Sequence, residues 1–267
     1  MVPVRIRAAA LAIALPLVVA HCSNVAPAPD DSVVAALAPT GSLRIAVYPG
    51  SPTSLVRDAA SGAPRGVAVE LGQSMARRLG VAPKLVEYAS NADALAAVKA
   101  GRADFAFTNA TPARAQEMDF SSAVLAVEQG YLVPGASSLE SAATVDRPGV
   151  RVGVTRGSTS ERELPAQLKS ATVVTVPTVK EGAHMLAEGS LDAFATNKAI
   201  LYQMSDAIAG SRVLPGAYGR EALAIGIPKG RERALRWLER FVQEVKANGE
   251  VARAMQGTGL RGTTLAD

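Results

Sequence analysis

Two phrases of this chain each occur twice, in the same order. "LRIAVYPGS" (residues 43–51) is followed by "GRADFAFTN" (101–109), and "VRVGVTRGS" (150–158) by "GSLDAFATN" (189–197). The first phrase of each pair is an apolar-rich run around one Arg that breaks at Gly-Ser. The second reads Gly-x-x-Asp, three mostly apolar residues, then Thr-Asn. A repeated order of strand-and-turn phrases implies two similarly built lobes, because each phrase then has its own place in its own sheet.

Between the phrases, short apolar runs alternate with amphipathic stretches, the pattern of α/β lobes with largely parallel sheets. In the first set "LRIAV" reads as a strand, "GVAVELGQSMARRLG" as a helix ended by Gly80, and "KLVEY" as a strand. "NADALAAVKAG" reads as a helix with Leu95 and Val98 inward, ended by Gly101, and "DFAFTN" as the third strand. The second set repeats the series with "VRVGV", a helix after "GSTSERE", "TVVTV", "KEGAHMLAEG" and "DAFATN". Two segments remain to connect the lobes, "EQGYLVP" (128–134) and "EALAIGIPKG" (221–230). The final helix carries Ala234, Leu235, Leu238, Phe241, Val242 and Val245 on one stripe. If that stripe packs on the first lobe the chain crosses twice, the wiring of a hinged clamshell. The expected division is lobe 1 at 42–130 and 222–267, and lobe 2 at 131–221.

Ahead of the lobes, residues 1–22 read as an export signal: Arg5 and Arg7, then the apolar run 8–20, too short to span a bilayer. Residues 23–41, rich in Pro and Ala, read as a flexible linker. The one cysteine, Cys22, has two readings. Val19-Ala20-His21-Cys22 resembles a bacterial lipoprotein cleavage site, with Cys22 as the lipidated first residue; cleavage after Ala20 fits as well. Without Arg5 and Arg7 the chain has 26 basic against 24 acidic residues, a near-neutral balance that gives no reason to invoke nucleic acid. The expected product is a periplasmic monomer, anchored to lipid if Cys22 is modified.

Both second phrases end at the carboxyl edge of a strand, where open α/β sheets place ligands. After the first, Thr111 is a good N-cap and Pro112 a good first helical residue, so a short helix with Arg114 in its first turn is expected. Its free N–H groups and the guanidinium converge on a point suited to a carboxylate. In the second lobe Gly157 permits close backbone approach, and Ser158 or Thr159 caps the next helix while offering a hydroxyl to the same anion.

The ordered series of these motifs resembles the extracellular solute-binding proteins of family 3, the amino-acid-binding periplasmic receptors of ABC importers. The resemblance covers residues 41 to about 249, and "TPARAQEMDFS" (111–121) is its most specific piece. It implies a two-lobed periplasmic-binding-protein clamshell of α/β class, each lobe a mostly parallel sheet flanked by helices. Such a clamshell closes on one small ligand and delivers it to an inner-membrane ABC permease, without a cofactor or a metal. The resemblance also implies that Arg114 forks onto the ligand α-carboxylate, helped by the Phe107 backbone, Asn109, Ser158 and Thr159.

Several positions depart from the family pattern. The acid that holds the α-ammonium, at the end of the second-lobe strand, is Asn197 here, and a neutral amide supplies no charge. The aromatic platform after the first strand is replaced around Ser51, with Tyr48 and Tyr218 the nearest rings. Asn91 stands where a bulky residue covers the ligand. The anion clamp is better preserved than the ammonium clamp, so the expected ligand is a small carboxylate, such as a polar amino acid or an amino-acid derivative.

Enzyme motifs are incomplete. "GTGLRG" (257–262) satisfies G-x-G-x-x-G but follows a helix and has five residues after it, without the strand, helix and downstream acid of a dinucleotide site, and reads as a flexible tail. His184 sits mid-helix, with no Ser-His-Asp, Cys-His or zinc-type arrangement to join. A binding protein is expected. The alternative is a periplasmic, dehydratase-like lyase on the same scaffold, with Glu128 as the acid to watch.

Overall fold

The computed structural model describes residues 29–266, so the export signal and Cys22 lie outside the described residues. The chain begins with α1 (Asp31–Leu37), β1 (Ser42–Val47), a short hairpin of β2 (Val56–Arg57) and β3 (Pro64–Arg65), α2 (Val67–Leu79) and β4 (Ala82–Glu87). There follow α3 (Asn91–Lys99), β5 (Phe105–Asn109), α4 (Pro112–Ala115), β6 (Met118–Phe120) and the first crossing strand, β7 (Leu125–Val133). The second lobe contains β8 (Arg151–Thr155), α5 (Thr159–Gln167), β9 (Thr172–Val176), α6 (Val179–Ala187), β10 (Ala193–Asn197), α7 (Lys198–Ala207) and β11 (Arg212–Val213). The second crossing strand, β12 (Gly219–Pro228), leads to α8 (Glu232–Ala247), α9 (Glu250–Gly257) and β13 (Thr263–Leu265).

The main strands are ordered β4-β1-β5-β12-β7-β10-β8-β9. In lobe 1, β1 is parallel to β4 and β5; in lobe 2, β8 is parallel to β9 and β10. The two lobes are therefore mirror series in strand order, closed at the centre by β12 and β7. Each crossing strand divides its length between hinge and lobe. Residues 219–223 of β12 pair with 125–129 of β7, while 223–226 pair with β5. Residues 129–132 of β7 pair in turn with β10.

Strands β5 and β10 are buried along their whole length, which is why both repeated phrases read as apolar runs. In lobe 1, Ile45, Phe105 and Phe107 pack with α2 and α8 on one face of the sheet, while Ala46 and Ala106 meet Leu95 and Val98 of α3 on the other. In lobe 2, Val152 and Ala193 face Leu164 of α5, and Phe194 packs with Leu186 of α6 and Leu201 of α7.

The repeated phrases have a physical cause. Arg44 in β1 donates Nε to Asp104 Oδ2 (2.7 Å), and Nη2 to Asp104 Oδ1 and to the Gly101 carbonyl (both 2.8 Å). Arg151 in β8 donates in the same pattern to Asp192 (2.9 and 3.1 Å) and to the Gly189 carbonyl (2.6 Å). The Arg of one phrase thus clamps the Gly-x-x-Asp turn of the other, fixing how the third strand enters beside the first. In lobe 1, Asp104 Oδ1 also accepts from Arg231 (3.2 Å), just ahead of α8. That contact and the buried stripe of α8 return the C-terminal segment to the first lobe.

Two expectations change. Residues 31–37 of the stretch read as flexible linker form α1, capped by Asp30 through the Ser32 N–H (2.7 Å), with Val33 and Leu37 buried in the core that contains α8. Two apolar residues four apart are too short a signal to stand out among Pro and Ala. The tail carrying "GTGLRG" is also ordered. β13 pairs with residues 125–127 of β7, and Arg261 donates to the Tyr202 carbonyl (3.0 Å), pairs with Asp206 and lies 4.6 Å from the Tyr202 ring centre. Its partners are distant in sequence, so no local periodicity announces them.

Candidate functional site

The carboxyl ends of β5 and β8 face each other across the cleft, and each runs into a capped helix. Thr111 Oγ1 accepts from the Arg114 N–H (3.3 Å) and Pro112 takes the first position of α4. This turn folds Arg114 back beneath β5. Its Nη1 donates to Thr108 Oγ1 (2.8 Å) and to the Asn109 carbonyl (3.2 Å), while Nη2 reaches the Gly157 carbonyl in the other lobe (3.2 Å). Arg114 is only 3% exposed. Burial, and secondarily the Arg162 charge, lower its pKa to about 10, which still leaves it protonated at neutral pH.

On the opposite side, Ser158 Oγ caps α5 by accepting from the Glu161 N–H (3.1 Å), and Glu161 Oε2 accepts from the Gly157 N–H (2.6 Å). Thr159 Oγ1 accepts from Asn109 Nδ2 (3.0 Å) and donates to Glu221 Oε1. The same Glu221 oxygen accepts from Asn109 Nδ2 (3.2 Å) and Gln129 Nε2 (2.9 Å). Glu221, on β12, therefore gathers donors from β5, β7 and α5. Its pKa is raised, with loss of hydration the leading cause.

Residues 43–257 match the bacterial extracellular solute-binding proteins, family 3. The chain belongs to this family. Among curated relatives, the ABC transporter glutamine-binding protein GlnH of Bacillus subtilis is 27% identical over 139 residues, 52% of this chain and 50% of the relative. The match thus spans about half the length of that relative. Among solved structures, the L-cysteine solute receptor of Neisseria gonorrhoeae aligns with a TM-score of 0.77 at 23% identity, over 88% of this chain and 99% of the receptor. The amino acid ABC transporter substrate-binding protein AbpA of Streptococcus pneumoniae, bound to L-arginine, aligns with a TM-score of 0.75 at 20% identity, over 84% and 96%. An ancestral amino-acid-binding protein described as a precursor of cyclohexadienyl dehydratase aligns with a TM-score of 0.71 at 23% identity, over 84% and 97%. At such identities these structures establish the two-lobed fold.

In this family 3 protein the cleft wall contains Tyr48, Asn91, Phe107, Asn109, Arg114, Ser158, Thr159 and Asn197, all expected there from the sequence. Two expected residues are not part of the wall. Ser51 is fully buried, with its hydroxyl 2.9 Å from Thr53 Oγ1 and bonded to Tyr48, and Thr111 is spent on capping α4. Asn197 reaches the wall, yet its Oδ1 accepts from the Ile200 N–H (3.2 Å) and starts α7. Tyr218 packs on Tyr131 with the rings tilted by 45° and meets Ser160 Oγ at 2.8 Å instead of entering the cleft. Glu128 pairs with Lys198 (2.5 Å) outside the wall, and His184 is 61% exposed beside Glu188.

Sequence reasoning missed Thr108, Gln129, Thr155, Arg156 and Glu221. The only available signal for Glu221 was its place as the one acid in "EALAIGIP". Thr155 Oγ1 is buried and makes no hydrogen bond among the described residues. No group of three or more His, Cys, Asp or Glu able to hold a metal occurs among the described residues.

Proposed function

We propose that this protein is the periplasmic substrate-binding component of an ABC importer, and that its cleft closes on a small carboxylate of the amino-acid class. The observation that carries this reading is Arg114. A protonated guanidinium is buried at the cleft wall, held by neutral acceptors from both lobes and by no carboxylate hydrogen bond. Glu221 acts on this cation only through space, and a ligand carboxylate supplies a directly bonded partner through charge-assisted bonds. Ser158 and Thr159, at the start of α5, stand on the facing wall as further donors. The amino-acid ligands named for the relatives support the same class, and membership of an extracellular family supports delivery to a membrane permease.

The test is calorimetry of the common L-α-amino acids and simple organic acids on the wild type and on Arg114→Ala. Loss of a buried, hydrogen-bonded charge partner should weaken binding by about 100-fold, roughly 3 kcal/mol. Equal affinity in the variant would remove the clamp assignment. One observation favours the lyase as a second reading: Glu221 is a buried carboxyl shifted toward its protonated form, the condition for a general acid. Turnover of a bound acid, followed by mass spectrometry, separates the two.

A further inference from the structure

We propose that Glu221 is the counter-charge for a ligand ammonium group, so that the cleft takes a zwitterionic α-amino acid in preference to an ammonium-free acid. This rests on the reading of Arg114 as the carboxylate clamp and names the ligand's second charge.

Glu221 is the one carboxylate side chain among the residues lining the cleft, and Asn109 bonds both to it and to Arg114. Its oxygens are used unequally. Oε1 accepts from Asn109, Gln129 and Thr159, whereas Oε2 accepts nothing among the described residues. A carboxylate has about four acceptor positions, so three donors fix the group while a whole oxygen stays available. Those donors are neutral. They orient the carboxylate, Arg114 acts on its charge only through space, and an entering ammonium supplies a directly bonded cation.

The sheet register explains why the acid sits on β12. Asn197 of β10, Gln129 of β7 and Gly219 of β12 lie in one row, and Glu221 is two residues along β12, on the same face as Gly219. A Cβ on Gly219 would stand 2.3 Å from Gln129 Oε1, so its missing side chain is what lets Gln129 lie across the strand and reach Glu221. Asn197 is committed to capping α7, and the cleft's carboxylate stands two strands away, on β12. The charged and titratable groups that act on Glu221 are Arg114 of α4, Glu163 of α5, Tyr48 after β1 and Tyr218 before β12. Arg114 and Glu163 pull its protonation in opposite senses.

The experiment is calorimetry on the full chain with matched probes: the common L-α-amino acids, and for the tightest of them the same acid lacking its amino group. The wild type should prefer the amino acid by at least about 30-fold, and Glu221→Gln, which keeps size and an acceptor oxygen, should remove most of that preference. Wild-type affinity for the amino acid should also fall as pH is lowered, while that for the des-amino acid should not, a readout that needs no variant. Equal loss of both probes in Glu221→Gln would make Glu221 a structural tie, and tighter binding of the des-amino acid by the wild type would overturn the proposal. Both outcomes leave Arg114→Ala still weakening binding by about 100-fold. If Arg114→Ala binds either probe normally, or if neither probe class binds the wild type, the underlying reading fails with it.

Discussion

Arg114 Nη2 and the Gly157 carbonyl meet at 3.2 Å across the cleft, so the cation that faces the cavity also ties the lobes together. Lysine in its place keeps the charge but has no planar fork, and cannot serve Thr108, Asn109 and Gly157 at once. Arg114→Lys should bind at least about tenfold more weakly and should expand in the ligand-free state. Calorimetry reads the first effect and small-angle X-ray scattering the second. An unchanged radius of gyration would mean that the bridge does not hold the lobes.

Gly157 should be a steric stop for closure. Its φ is +71°, and a Cβ there would lie 2.7 Å from the Cβ of Ala92 at the start of α3, on the opposing lobe. Gly157→Ala therefore adds a methyl between the closing lips as well as about 1–2 kcal/mol of local backbone strain. It should weaken ligand binding while leaving every polar group of the cleft in place. Scattering should show a ligand-saturated protein that compacts less than the wild type.

The lobes, their order and the two crossings were legible because each rests on local pattern: apolar strands, capped helices and a repeated phrase. Arg114 was legible for the same reason, since Thr111 and Pro112 announce its turn within three residues. Glu221 was not. Its meaning comes from Asn109, Gln129 and Thr159, which lie between 62 and 112 residues away. Ser51 misled in the opposite way, because position after the first strand suggested a wall residue while the chain turns it inward. The Arg of each first phrase and the Asp of each second were both visible, but only the parallel register of β1 with β5 and of β8 with β10 pairs them.

That pairing occurs twice with unequal weight. The Asp104 side chain is fully buried and serves both Arg44 and Arg231, whereas the Asp192 side chain is 38% exposed and serves Arg151 alone. Asp104→Asn leaves two guanidinium groups without their charge partner and should cost about 3–5 kcal/mol. Asp192→Asn, screened by solvent, should cost at most about 1 kcal/mol. Urea denaturation of the two variants measures the difference, and equal losses would contradict it.

Two carboxylates should give the ligand-free protein opposite pH responses. Arg78, with smaller help from Ser74 and Asn248, holds the Glu250 pKa at about 2, below its ordinary 4.5. Its stabilising contribution is complete above about pH 4.5 and is lost as pH falls toward 2. Glu221 is raised above 4.5, so its folded form binds the proton more tightly. From this group stability grows as pH falls through the raised value, and its ionised form costs stability at neutral pH. Melting temperature against pH should thus flatten at the acid end in Glu250→Gln, and should be higher at neutral pH in ligand-free Glu221→Gln. A Glu221→Gln variant less stable than the wild type at pH 7 would show that the hydrogen bonds to the charged form outweigh its desolvation.

Thr155 separates stability from binding most sharply. Its hydroxyl is buried at the cleft wall, at the end of β8, without a hydrogen bond among the described residues. An unpaired buried hydroxyl costs about 1–3 kcal/mol, and valine replaces it with a methyl of nearly the same shape. Thr155→Val should therefore stabilise the ligand-free protein by about 1 kcal/mol, raising the melting temperature by a few degrees. If the hydroxyl waits for a polar group of the ligand, the same change should weaken binding, because that group then enters the cleft unpaired. Measuring both quantities on one variant decides the role of this side chain. A rise in stability with unchanged affinity makes Thr155 a packing residue, and a rise in stability with reduced affinity makes it part of the recognition surface.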